Sequence, residues 1–165
     1  MEFEIHRRPT GPVADEILSI VEDLTGEWFT ADVAPATQRD LLFHDVLCLR
    51  ADGRIRAFIM FTSHDGAISI ALMGTTPEFQ GQGYGSVLIE RLAVHATALG
   101  FEEIVAFTVP PTSKPIYKAT VDFYRKHGFK VVKEHTELWQ GGAWELRRSL
   151  SDESEQPKWS CGCVP

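Results

Sequence analysis

No apolar run in this chain approaches the roughly 18 residues that a membrane-spanning helix requires, so no membrane partner is expected. The opening residues, MEFEIHRRPT, lack the basic, apolar and small-residue succession of a secretory signal. Together these absences point to the cytoplasm. Positive charge is also short: 16 lysines and arginines stand against 23 acidic residues, leaving a net charge of -7. A general nucleic-acid binder needs a basic face for phosphates, so that class is set aside. An anionic chain suits a cationic partner better. Cysteines are few. Cys48 sits in the apolar run DVLCLR and reads as a small core residue. Cys161 and Cys163 form CGC, which is not C-x-x-C and has no His or Cys companions to complete a zinc set. With Gly162 at the fourth position from the end, the prenylation pattern is not met and no prenyl group is expected. No metal site is expected.

What is present suits one globular domain. The 165 residues are 44% hydrophobic and 24% charged, which is enough for one core and short for two. A single domain is expected over 1–150, with a polar and flexible tail over 151–165. Phe3 to Arg8 alternates apolar and polar as a half-buried strand does. Val13, Ile17, Ile20, Val21 and Leu24 fall on one helical face. The stretch EWFTADVAPATQRDLLF reads as a short second helix in a mobile connection. Strands are expected at 46–50, 54–61 and 67–73, then a helix whose Leu88, Leu92, Ala96 and Leu99 face inward. A buried strand follows at 104–109, then a short helix ending at Gly128, then strands at 131–139 and 143–150 around the turn QGG. The element order is β-α-α-β-β-β-α-β-α-β-β, without an internal repeat.

The stretch EFQGQGYGSVLIERL places Gly81, Gly83 and Gly85 directly ahead of a helix. A strand, then glycines, then a helix presents free backbone N–H groups and a positive helix end to an anion. Glycines let phosphate oxygens approach the main chain. A Walker loop would need a Lys after the glycines, and a dinucleotide fingerprint would need G-x-G-x-x-G in a Rossmann half. Here the spacing is G-x-G-x-G behind antiparallel-looking strands. Neither fits.

The stretch does fit [Q/R]-x-x-G-x-[G/A], read from Gln80 to Gly85. With its Pro-Glu-aromatic lead-in, TTPEFQGQGYGSVLIERL resembles the acetyl-CoA pyrophosphate loop of the GNAT N-acetyltransferase superfamily. ATVDFYRKHGF resembles the family's second diagnostic segment, the helix with F-Y-x-x-x-G-F. The two occur in the right order with a strand between, and the resemblance covers nearly the whole globular part. It implies an α/β (α+β) fold: a mixed central sheet of about seven strands, helices on both faces, and splayed central strands forming an acetyl-CoA cleft. It further implies that Gln80 heads the loop and that the amides of Gly81, Gln82, Gly83, Tyr84, Gly85 and Ser86 hold the pyrophosphate. Met73, Gly74 and Thr75 would pair with the pantetheine arm, the Thr75 N–H would face the carbonyl oxygen, and Tyr124 would sit by the thioester sulfur. Competing readings stay open: Gly85 as a helix-packing residue, and Tyr124 as a core aromatic.

The implied activity is acetyl transfer from acetyl-CoA to a primary amine of a small molecule, protein or peptide, through a tetrahedral intermediate. The amine arrives protonated and needs a base. The strand AISIALMGTT holds no acid, and Glu78 is expected to point to solvent. Glu27, Asp32, His44, His64 or a water chain remain as candidates. Trp28, Phe29, Trp139 and Trp144 could wall an amine pocket, or serve as packing. A non-catalytic acyl-CoA-binding module of the same fold is the alternative, and a phosphate-ligand enzyme unrelated to acyl transfer is a third reading. Oligomeric state is not written in the sequence; a homodimer is among the options.

Overall fold

The computed structural model describes residues 1–151. Apart from Ser151, the tail expected over 151–165 lies outside the described residues, Cys161 and Cys163 included. The chain runs β1 (Glu2–Arg7), α1 (Pro12–Asp23), α2 (Val33–Asp40), β2 (Asp45–Ala51), β3 (Arg54–His64), β4 (Ala67–Thr75), α3 (Tyr84–Ala98), β5 (Glu103–Thr108), α4 (Tyr117–Lys126), β6 (Lys130–His135) and β7 (Ala143–Ser149). Seven strands form one sheet in the order β1-β2-β3-β4-β5-β7-β6. β1 to β4 form an antiparallel meander, β4 and β5 are parallel, and β7 inserts between β5 and β6. The parallel pair requires a crossover, and α3 supplies it.

The helices form where apolar spacing gives them a face to bury. In α1, Pro12 starts the helix, where its missing N–H costs nothing, and Ile17, Ile20 and Val21 are buried. They pack with Leu24 against Val46, Cys48, Phe58 and Met60 on one face of the sheet. In α3, Leu88, Leu92 and Ala96 are buried against Leu49, Ile59, Ile104 and Leu146 on the other. Each fully buried aliphatic side chain is worth about 1.5–3 kcal/mol, so both layers hold the sheet. Burial pushes the Cys48 thiol up to about 12, as suits an inert core residue.

The structure departs from the sequence reading in places. Leu99 is 59% exposed rather than inward, because it is the C-cap of α3 and lies past the last helical turn. β6 stops at His135 instead of running to Trp139. Leu138 and Trp139 lie exposed in the connection to β7.

The feature that positions the site is in β4. Met60 pairs with Leu72 and Phe61 with Ile70, so Ala71 is an extra residue, a β-bulge that bends the strand. Pairing of β4 with β5 covers only Ile68, Ser69 and Ile70. Beyond the bulge the two strands diverge. The splay of the central strands is therefore built by one inserted residue.

Candidate active site

Two sets of backbone donors face this opening. Thr76 N–H donates to Arg56 O at 2.9 Å, back across β3. Amide direction alternates along a strand, so the N–H groups of Thr75 and Met73 point away from β3 and into the gap. The Thr75 carbonyl, on that same side, accepts from Gln80 Nε2 at 3.2 Å, which ties the loop back to the strand. Gly74 lies between them, and a Cβ there would come within 3.0 Å of Leu24 and 3.1 Å of Phe58. Glycine at this position lets the end of α1 close down on β4.

The second set lies at the start of α3. A short 3-10 turn, Pro77–Phe79, leads into the loop, and Gln82 Nε2 donates to Glu78 O at 2.8 Å. Glu78 itself is 78% exposed and points outward, with Arg56 at 3.8 Å. Gly81 and Gly83 hold φ of 72° and 85°, and a Cβ on either would meet nothing within 4 Å. Their conformation requires glycine, and the space around them is open. The first helical bond of α3 runs from Val87 N–H to Gly83 O, which leaves the N–H groups of Tyr84, Gly85 and Ser86 without helical partners. Gly85 differs from its neighbours: its missing Cβ would stand 3.4 Å from Phe123 and 3.6 Å from the Met73 methyl. The packing reading of Gly85 is thus supported by its surroundings. Open space at Gly81 and Gly83, with the free amides of Tyr84, Gly85 and Ser86 beside it, fits a phosphate cradle.

Tyr124 stands between the two sets. It is 4% exposed, and its hydroxyl donates to Met73 Sδ at 3.4 Å. Its ring is wedged edge-on between Phe123 and Phe129. Burial raises the phenol above its ordinary value, so the hydroxyl keeps its proton and remains a donor. The residues named from the sequence on β4, the loop and α4 therefore converge on one opening. Thr108, at the end of β5, has a buried hydroxyl without a hydrogen-bond partner among the described residues.

The segment between α1 and α2 bridges the top of the gap. Leu24 sits over β4, and Tyr117 at the start of α4 donates its hydroxyl to Trp28 O at 2.5 Å. Lys114 Nζ donates to Glu27 O at 3.2 Å. Glu27 and Asp32 are on this segment and exposed, and a hydrogen bond from Thr30 holds the Asp32 carboxyl below its usual value. The other two base candidates are remote. His64 pairs in register with Ala67 at the start of β4, roughly 26 Å along the strand from Thr75 at about 3.3 Å per residue. His44 precedes β2 at that same end of the sheet and binds Asp40 O at 2.7 Å. The aromatic residues do not form one wall. Trp28 and Phe29 pack against the α1 layer, Trp144 against the α3 layer, and Trp139 is 43% exposed.

The sequence reading missed a polar network beside the loop. Ser86 Oγ lies 2.9 Å from His127 Nε2, and His127 Nδ1 lies 2.9 Å from Glu90 Oε1. Arg148 donates to both Glu90 oxygens at 3.0 and 3.1 Å. The Arg148 guanidinium, then His127, hold the Glu90 carboxyl below its ordinary value, against the opposing effect of burial. His127 was legible only as a basic residue near a helix end.

The comparisons agree with this geometry. Residues 43–131, more than half of the chain, match the family model described as an acetyltransferase (GNAT) domain. A GNAT-family protein from Desulfovibrio desulfuricans superposes with a TM-score of 0.78 at 16% identity, covering 90% of this chain and 99% of its own. The ribosomal-protein-S18-alanine N-acetyltransferase of Escherichia coli gives 0.69 at 14% identity, covering 90% and 94%. The PaiA N-acetyltransferase of Thermoplasma acidophilum, solved with coenzyme A, gives 0.66 at 16% identity, covering 90% and 99%. At these identities the structural likeness establishes the fold. No curated protein matches the sequence. The family model, read with the splayed β4–β5 pair and the glycine loop at the head of α3, shows that the chain belongs to the GNAT acetyltransferase family.

Proposed function

We propose that this protein transfers an acetyl group from acetyl-CoA to a primary amine of a small molecule, protein or peptide by direct attack on the thioester. The observation that carries the reading is the Tyr124 hydroxyl, buried, still protonated and 3.4 Å from Met73 Sδ beside the β4–β5 opening. Acetyl-CoA supplies the thioester that the amine attacks. The open main chain at Gly81 and Gly83 and the free amides of Tyr84, Gly85 and Ser86 support pyrophosphate binding. The N–H groups of Met73 and Thr75 and the Met73 C=O, turned into the gap, support strand-like pairing with the pantetheine arm, and the Thr108 hydroxyl, without a partner among the described residues, offers a further polar contact. The Thr75 N–H is the donor proposed for the carbonyl oxygen as it gains charge.

In this reading Tyr124 protonates the departing thiolate, since a phenol at neutral pH still has its proton to give. The amine must lose a proton before it attacks. The geometry supports a base from the segment carrying Glu27 and Asp32, or water held there, over His44 and His64 at the other end of the sheet. The test is thiol release from acetyl-CoA across a library of small amines and peptides, alongside acetyl-CoA binding by calorimetry. Turnover with an amine is expected. Tight acetyl-CoA binding without turnover on any amine would favour a non-catalytic acyl-CoA-binding module.

A further inference from the structure

Glu90 can only accept hydrogen bonds, so the imidazole nitrogen facing it, Nδ1 of His127, must carry a proton in either charge state. The other nitrogen, Nε2, faces Ser86 Oγ at 2.9 Å. Its protonation decides what Ser86 can do. With neutral His127, Nε2 accepts the Ser86 proton, and the serine turns only lone pairs outward. With doubly protonated His127, Nε2–H donates to Ser86 Oγ, and the serine O–H is free to point elsewhere. Ser86 is the third residue of α3, in the same turn as the unpartnered amides.

An anion held at the loop favours this second state through its own negative charge. From α3 the imidazole meets Ser86 and Glu90; from β7, Arg148 reaches it through Glu90. On its own helix Phe123 lies against the ring at 4.8 Å, and Arg125 and Lys126 are exposed neighbours. Arg148 offsets the charge of Glu90. Protonation of the ring adds one positive charge beside the loop. The side chain of His127 is 9% exposed, so that charge would act at close range with little screening.

We infer that His127 is a positioning residue for coenzyme A: binding of the pyrophosphate draws one proton from solvent onto Nε2 of His127, which turns the Ser86 hydroxyl toward a phosphate oxygen. This rests on the acetyl-CoA reading above. The proton comes from the buffer, moves onto Nε2, and no covalent bond to the ligand forms. His127 lies three residues after Tyr124, so the same end of α4 holds the thiolate donor and grips the phosphate loop.

The test is calorimetry of dephospho-CoA, which keeps the pyrophosphate but lacks the 3′-phosphate whose own titration would interfere. Titrations at pH 6, 7 and 8, each in two buffers of different ionisation enthalpy, read affinity and proton uptake together. Wild type is expected to bind about tenfold more weakly at pH 8 than at pH 6, with net proton uptake at pH 7 and above. H127Q keeps an amide donor for Ser86 but cannot titrate, and should show neither pH dependence nor uptake. As a second measurement, independent of any variant, the NMR titration of His127 in wild type should shift to higher pH when dephospho-CoA is added. Equal uptake in wild type and H127Q, or an unshifted His127 titration, would overturn the inference while leaving coenzyme A binding intact. Absence of binding in wild type at every pH would overturn the acetyl-CoA reading, and this inference with it.

Discussion

The hydroxyl of Tyr117 donates to the backbone carbonyl of Trp28 at 2.5 Å, across a sequence separation of 89 residues. The two rings also meet edge to face, with centroids 6.3 Å apart. This contact fastens the segment after α1 to the start of α4, across the mouth of the β4–β5 gap. Removing the hydroxyl frees a segment whose sequence pattern is weakly structured. Tyr117→Phe should raise KM for the amine several-fold and leave acetyl-CoA affinity unchanged, because no phosphate or thioester contact is touched. Equal KM values would separate this strap from substrate binding.

Tyr124→Phe tests the thiolate donor. The ring stays packed between Phe123 and Phe129, so stability should change by less than about 1 kcal/mol. The turnover number should fall roughly 10²-fold, within the usual range for losing a general acid, with acetyl-CoA affinity little altered. Wild-type turnover in the variant would remove the role. A large loss of affinity with kcat intact would make Tyr124 a binding residue.

The loop glycines divide by surroundings. Gly83 has φ of 85° and open space around it, whereas Gly85 has ordinary φ and a Cβ on it would stand 3.4 Å from Phe123. Gly85→Ala should fold with a loss of at most about 1 kcal/mol and bind acetyl-CoA within a few-fold of wild type. Gly83→Val places a branched side chain at the cradle and strains the backbone, so acetyl-CoA affinity should drop by more than about tenfold. Calorimetry on both variants, each checked for folding by thermal melt, decides whether the glycines serve packing or a ligand.

Ligand preference offers a direct reading of the loop spacing. Acetyl-CoA at a hundred times its Kd should stabilise the fold by about 2.7 kcal/mol, and NAD and ATP at equal concentration should not. An unchanged Tm in saturating acetyl-CoA would contradict the proposed function.

Acid should loosen the sheet. Arg50 beside Glu4, Arg148 beside Glu90 and His135 beside Glu145 hold these carboxyls below the ordinary value of 4.5. The unfolded chain then binds protons more readily than the folded one. Stability from these groups is complete above about pH 4.5 and falls as pH drops through the lower folded values. Melting curves from pH 6 to pH 3 should be flat, then descend, and Arg148→Met should descend less steeply. Matching slopes would take the Glu90–Arg148 pair out of this account.

Much of this was legible in the sequence. Alternation in Phe3 to Arg8 and the 3.6-residue spacing of Ile17, Ile20 and Val21 reported elements directly, because burial on one face leaves a periodic trace. The loop and Tyr124 were legible because two local motifs carried them. Leu99 misled because its spacing continues the face of α3 one residue past Ala98, where the helix ends. Ala71 left no trace, since a bulge changes pairing and not composition. The Ser86–His127–Glu90–Arg148 network joins positions from three elements, and no local spacing records such a meeting.

The bulge at Ala71 also means that the opening is a matter of residue count rather than residue type. Ile70 and Phe61 lie on the α3 side of the sheet, and Leu72 and Met60 on the α1 side, so skipping Ala71 leaves every other residue of β4 facing as it does now. Removing that single codon would keep both hydrophobic layers in phase and give β4 a straight path alongside β5. The strands would then zip together past Ile70, sealing the crevice with their own amides. Such a protein should melt at or above the temperature of its parent and have nowhere to lay a pantetheine chain.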